Sequence, residues 1–120
     1  PPPGTGNYAG ESAKGLIDVT IEGYNDGFPA AAPAGKFGPS AAGLFDMGGN
    51  VAEWVHDVYS IPNANGPTQN DPLGGQTGDN FVIRGAAWTQ SKLTELRLAS
   101  RDYGKDRRDD VGFRIARYAE

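Results

Sequence analysis

Fifteen Asp and Glu, eleven Lys and Arg, one histidine (His56) and no cysteine supply the ionisable chemistry of this 120-residue chain. Without thiols there are no disulfides, thiolate metal sites, cysteine nucleophiles or thiol redox steps. One imidazole cannot build a two- or three-histidine transition-metal site from this chain alone. A metal held here needs oxygen ligands, which favours a hard cation. His56 with Asp57 and a serine has the composition of a hydrolase triad, but the apolar pattern around His56 leaves it on a solvated face. Asp109-Asp110 beside Arg107-Arg108 reads as a solvated turn with surface ion pairs. Arg97, Arg101, Arg114 and Arg117 come from the last two expected strands. Arg114 and Arg117 cannot both share a face with Phe113, and a buried one would pair with Asp109, Asp110 or Glu53. Gly48-Gly49 and Gly74-Gly75 lack the spacing of a phosphate loop.

The elements that must position these groups are short. The chain has 18 Gly and 9 Pro, too many breakers for a helical bundle or coiled coil. Hydrophobic residues make up 38%, with two Trp, five Tyr and five Phe, enough for a small core in one domain. A net charge of −4 sets a general nucleic-acid binder aside, and no stretch reaches the apolar length of a membrane span. The start, Pro1-Pro2-Pro3 without Met or a basic leader, reads as a processed or excised piece of a longer polypeptide.

Leu16 to Ile21 is a β-favouring run, Asn25-Asp26-Gly27 a turn, and Pro29 to Gly38 a loop. Asn50 to Tyr59 reads as a helix. Asn50 is a suitable cap, Glu53 takes the capping-box position, and Val51, Trp54, Val55 and Val58 fall on one helical face. Residues 60–80 are a polar loop. Phe81 to Arg84, Leu96 to Arg101 and Val111 to Ile115 read as strands, with a charged turn from Asp102 to Asp110. Trp54 and Trp88 are expected in the core. The fold class is α+β and loop-rich, with short antiparallel strands and few short helices.

Four blocks in order carry a family resemblance. The longest runs Gly43-Leu44-Phe45-Asp46-Met47-Gly48-Gly49-Asn50-Val51-Ala52-Glu53-Trp54-Val55-His56-Asp57-Val58-Tyr59. The others are Asp26-Gly27-Phe28 with Ala32 to Phe37, Val82 to Trp88, and Arg97 to Arg101 with Asp109 to Arg117. Together they resemble the sulfatase-modifying-factor superfamily of the formylglycine-generating enzyme, over about residues 5–118. The resemblance implies a C-type-lectin-like fold, of which residues 1–120 would be the C-terminal part of a single domain.

The resemblance also implies calcium at two places. One would use the Asp46 and Glu53 side chains with the Gly49 and Val51 carbonyls. The other would use Asn7, the Tyr8 carbonyl, Asp26 and the Phe28 carbonyl. By residue type alone the same acids also read as turn and capping residues. The two copper-binding cysteines of the formylglycine-generating enzyme would fall within Thr89 to Glu95, where this chain has none, so that activity is excluded. The expected function is a non-catalytic, calcium-stabilised binding module. Its loops at Ser60–Asn80 (with Asn63, Asn65, Gln69 and Asn70) and Thr89–Glu95 would meet a protein, peptide or glycan. Other expected partners are the missing N-terminal half or a partner chain, and an extracytoplasmic setting, periplasmic or secreted, is favoured. Two alternatives stay open: the C-terminal half of a non-heme-iron or related oxidoreductase, sulfoxide-synthase-like or pyoverdine-maturation-like, and a structural subunit of a surface assembly.

Overall fold

Most of the backbone is irregular, and a four-stranded sheet at its centre gives it an anchor. The computed structural model describes residues 1–61, 66–67, 74 and 77–117. The strands are β1 (Ala52–Val58), β2 (Phe81–Arg84), β3 (Asp102–Gly104) and β4 (Val111–Gly112). Their order across the sheet is β3-β2-β1-β4. β2 runs antiparallel to β1 and β3, and β1 runs parallel to β4. A 3₁₀ turn (Glu11–Ala13) and one short helix, α1 (Leu93–Leu96), complete the described elements. The class is α+β, as the sequence indicates.

β1 corrects the expected Asn50–Tyr59 helix. Its register with β2 runs from Trp54↔Ile83 to Val58↔Phe81, so four residues of β1 pass two of β2. Such a bulge breaks the two-residue alternation of a strand. The apolar positions then fall at three- and four-residue spacings, which imitates a helical face. The β-branched Val51, Val55 and Val58 and aromatic Trp54 suit the sheet better. Asn50 is no helix cap: its φ is 68°, and it ends the preceding turn.

Phe81–Arg84 is the strand expected there, with the neighbouring Val82 and Ile83 both buried. Other expectations shift. Leu16 to Ile21 forms turns and a single bridge between Lys14 and Ile17, and Leu16 and Val19 stay exposed. Leu96 to Arg101 is no strand: Leu96 ends α1, and the sheet edge is taken instead by Asp102–Gly104, from the expected charged turn. Val111–Gly112 pairs with β1, but Phe113 and Ile115 are 76% and 89% exposed, so the apolar face expected there is not buried among the described residues.

The core is correspondingly small. Ala52, Ile83 and Ala87 form its centre, with Trp54 and Val111 packed against it. Trp88 is half-buried, and its indole N–H is shielded without a described partner. A core built largely on alanine buries little apolar area, so hydrogen bonds must fix much of the loop geometry. The loop residues Asn63, Asn65, Gln69 and Asn70 lie outside the described residues.

Candidate functional site

The segments before β1 are tied together by buried amides. Asn7 is fully buried, and its Nδ2 donates to the Ala30 carbonyl at 2.7 Å and to Asn50 Oδ1 at 3.3 Å. Asn50 Oδ1 also accepts the Ala32 N–H at 2.8 Å, and Asn50 Nδ2 donates to the Ala32 carbonyl at 3.1 Å. The Asn50 N–H bonds the Asn7 carbonyl, and its own carbonyl accepts the Trp88 N–H. One asparagine thus joins the N-terminal segment, the Ala30–Ala32 loop and the chain after β2. The sequence singled out Asn50 only as a cap. The signal for this role was Asn directly after Gly48-Gly49, since Asn tolerates positive φ.

Asp26 is the second organiser. Its Oδ2 accepts the Tyr8 N–H and its Oδ1 the Phe28 N–H, both at 2.9 Å. Asn25 Oδ1 accepts the Gly27 N–H, and Gly27 has φ 84°, a turn that a β-carbon would strain. The structure therefore joins the Tyr8 and Phe28 N–H groups at Asp26, while the Asn7 side chain, next along the chain from Tyr8, turns to Ala30 and Asn50. Asn7 Oδ1 is buried and accepts no hydrogen bond among the described residues. The Tyr8 carbonyl accepts the Gly10 N–H at 2.6 Å. Carboxylate oxygens keep further lone pairs after accepting one N–H each, so Asp26 still has oxygens of the kind that a hard cation takes. Burial raises the Tyr8 phenol pKa, with a further contribution from Tyr24. That hydroxyl donates to the Gly48 carbonyl at 3.1 Å, which links this place to the next.

The Asp46–Glu53 corner is arranged differently. Asp46 has φ 52°, and its Oδ2 accepts the Gly35 N–H at 2.7 Å. Arg114 lies on Glu53: its Nε donates to both carboxylate oxygens at 2.9 and 2.7 Å, and Nη2 also reaches Oε1. The same Nη2 donates to the Phe45 and Asp46 carbonyls at 3.1 and 3.3 Å. Glu53 raises the Arg114 pKa. Of the expected donors, the Asp46 and Glu53 side chains and the Gly49 and Val51 carbonyls, the Glu53 carboxylate therefore already answers a guanidinium, and the Asp46 carboxylate a backbone N–H. A calcium ion does not fit these residues as they stand, because Arg114 holds the Glu53 carboxylate. Among the described residues no three His, Asp or Glu side chains cluster as a metal site.

Beyond Trp88, side chains serve the scaffold. Gln90 Oε1 accepts the Ala87 N–H, and its carbonyl takes the Ala9 N–H. Thr89 Oγ1 donates to Asp110 Oδ2 at 2.8 Å. Asp110 is buried and gripped at both oxygens by Arg108, which also holds Asp102. The Arg108 hydrogen bonds lower the Asp110 pKa despite burial. So Asp110 is more than a solvated turn residue. A cavity of about 350 Å³ lies beside this loop, lined in part by Ile17, Thr89, Ser91, Lys92 and Glu95. It presents a Lys92–Glu95 pair at 4.0 Å and no thiol or imidazole. His56 is exposed on β1.

The comparisons agree with this architecture. The formylglycine-generating enzyme of Thermomonospora curvata is 33% identical over 81 residues, covering 63% of this chain and 27% of its own. That of Bos taurus is 31% identical over 107 residues, covering 86% and 28%. The structure of PvdO from Pseudomonas aeruginosa superposes with a TM-score of 0.69 at 28% identity, over 92% of this chain and 38% of that one. The chain spans little more than a quarter of the length of these curated relatives. The model of the sulfatase-modifying factor enzyme 1-like domain matches residues 5–119. This chain belongs to the sulfatase-modifying factor enzyme 1-like family.

Proposed function

We propose that this segment is the non-catalytic C-terminal part of a single family domain, a calcium-stabilised scaffold whose loops bind a protein, peptide or glycan. The observation that supports calcium is the buried Asn7 Oδ1, without a partner among the described residues, one residue before the Tyr8 N–H that Asp26 accepts. Asn7, the Tyr8 carbonyl, Asp26 and the Phe28 carbonyl would hold the ion. Its charge would satisfy the orphaned oxygen and pin the N-terminal segment to the Asp26 turn. The set of Asp46, Gly49, Val51 and Glu53 would take a second ion only with Arg114 displaced from Glu53. The binding role is supported by the loop after Trp88, which flanks a cavity and whose side chains include no thiol or imidazole. The missing remainder of the domain is the first partner, and the setting is extracytoplasmic.

The test is thermal unfolding of the full chain with EDTA and with calcium. At a hundredfold excess over Kd, calcium adds about 2.7 kcal/mol, which raises Tm by roughly 10 °C. Asp26→Ala abolishes the rise. A parent protein whose midpoint ignores calcium would refute the cation.

A second reading is the C-terminal portion of a metal-dependent oxidoreductase whose metal ligands lie outside this chain. The likeness to PvdO, of which this chain covers 38%, favours it. Elemental analysis of the purified full-length protein separates the two: stoichiometric iron or copper supports the enzyme, calcium alone the scaffold.

A further inference from the structure

A second cavity, of about 410 Å³, opens where β2 ends. Its apolar walls include Tyr8, Met47, Leu96 and Leu98, and its charged lining is Glu53, Arg84 and Arg97. The volume lies in the range of small-ligand sites. Arg84 is the direct cross-strand partner of Glu53, the position at which an opposite-charge pair is expected. Arg114 claims Glu53 instead. Among the described residues Arg84 is left with one hydrogen bond, Nη2 to the Leu98 carbonyl at 2.7 Å, while its Nε–H is shielded from water and has no partner there. Arg97 makes no ion pair among the described residues. A half-buried guanidinium, Arg84, and an exposed one, Arg97, therefore line one cavity with no ion-pair partner among the described residues, in a chain of net charge −4.

A guanidinium cannot shed its proton, and a half-buried charge without a counter-ion is costly. A carboxylate offsets that cost, since its planar pair of oxygens matches the guanidinium fork. The neighbouring walls are aliphatic, aromatic and thioether groups, which suit an apolar body behind the charged head. We propose that this cavity binds a carboxylate carried on an apolar body, with Arg84 as the principal contact and Arg97 as the second. The cavity shares Tyr8 with the Asn7–Asp26 region but is lined by neither Asn7 nor Asp26, nor by residues 89–95 of the loop beyond Trp88.

Two sources present this chemistry: the free C-terminus of an apolar peptide, and a small aliphatic acid. The experiment titrates the full chain with N-acetyl-Leu-Leu-Leu, with the same peptide as its C-terminal amide, with hexanoate and with inorganic phosphate, monitored by amide NMR shifts and calorimetry. The free acids are expected to shift the signals of residues 84–86 and 96–98. The amide should bind at least about tenfold more weakly, as loss of a charge-assisted pair implies. Tighter binding of the peptide than of hexanoate names a peptide terminus as the source, and the reverse names the small acid. Arg84→Gln should weaken the acid about tenfold and Arg97→Gln about threefold. Met47→Glu places an anion at the cavity wall without removing either arginine, so it should abolish binding even if Arg84→Gln fails to fold. Equal affinity for acid and amide, phosphate binding as tight as the acids, or undiminished affinity in Met47→Glu would overturn the proposal.

Discussion

Two regions of this molecule hold irregular backbone in place by opposite means. Around Asn7 and Asn50 the ties are neutral amides, both side chains are buried, and each bond joins segments remote in sequence. Around Glu53 and Arg114 the ties are charged, and the two side chains are 20% and 36% exposed. An exposed ion pair is screened by water and contributes little. A buried amide that loses its partner leaves a desolvated group behind, at about 1–3 kcal/mol. The lesson is that the conspicuous charges of this chain matter less to its stability than two uncharged asparagines.

Asn50→Ala should break the comparison most sharply. It removes the acceptor of the Ala32 N–H, the donor to the Ala32 carbonyl and the partner of Asn7 Nδ2. It also places alanine at φ 68°. A loss of about 3–4 kcal/mol is expected, read as a lower urea midpoint at unchanged m-value. A loss below about 1 kcal/mol would move the organising role elsewhere. Asp26→Ala comes next. Two backbone N–H groups, of Tyr8 and Phe28, lose their acceptor, and about 2 kcal/mol should go in EDTA. With calcium present the loss should grow by whatever the ion contributes to the parent.

How much of this was legible differs by residue. Val82 and Ile83 announce a strand, because a short β-branched run between turn residues has few other uses. The Asp26 turn was readable from Asn25-Asp26-Gly27, since an Asx turn is a local event. β1 was misread because its bulge erases alternation, and no local pattern records a bulge that the neighbouring strand imposes. Phe113 and Ile115 alternate correctly, yet no described element covers them. The Asn7 position in the site followed from family resemblance, and its buried bond to Asn50 spans 43 residues. Long-range pairing of that kind leaves no periodic trace in one sequence.

Asp110 lies between the two extremes, a charged group that is nevertheless buried. Arg108 holds its folded-state pKa below the ordinary value of 3.8, with Thr89 adding to the effect. A carboxyl with a depressed folded pKa stabilises the fold above its unfolded value, and that contribution disappears as pH falls through the folded pKa. Asp110 should therefore contribute fully at neutral pH and progressively less below about pH 4. Asp110→Asn should cost on the order of 1 kcal/mol at pH 7 and flatten the acid limb of the stability curve. An unaltered acid limb would mean that the Arg108 grip is already broken in solution.

The smallest effect should come from Arg114→Gln. Its ion pair with Glu53 has good fork geometry but is partly solvated, so about 0.5–1 kcal/mol is expected at low salt. Raising NaCl to 1 M shortens the screening length to about 3 Å and should shrink the difference between variant and parent. The same substitution sharpens the contrast in a second way. It frees the Glu53 carboxylate and the Phe45 and Asp46 carbonyls from a resident cationic side chain. The variant should then bind one more calcium equivalent than the parent by calorimetry, at the Asp46–Glu53 corner. If stoichiometry stays the same, that corner is organised by arginine alone. A larger stability loss than Asn50→Ala would reverse the ranking of the two regions and put charge, not buried amides, at the centre of this fold.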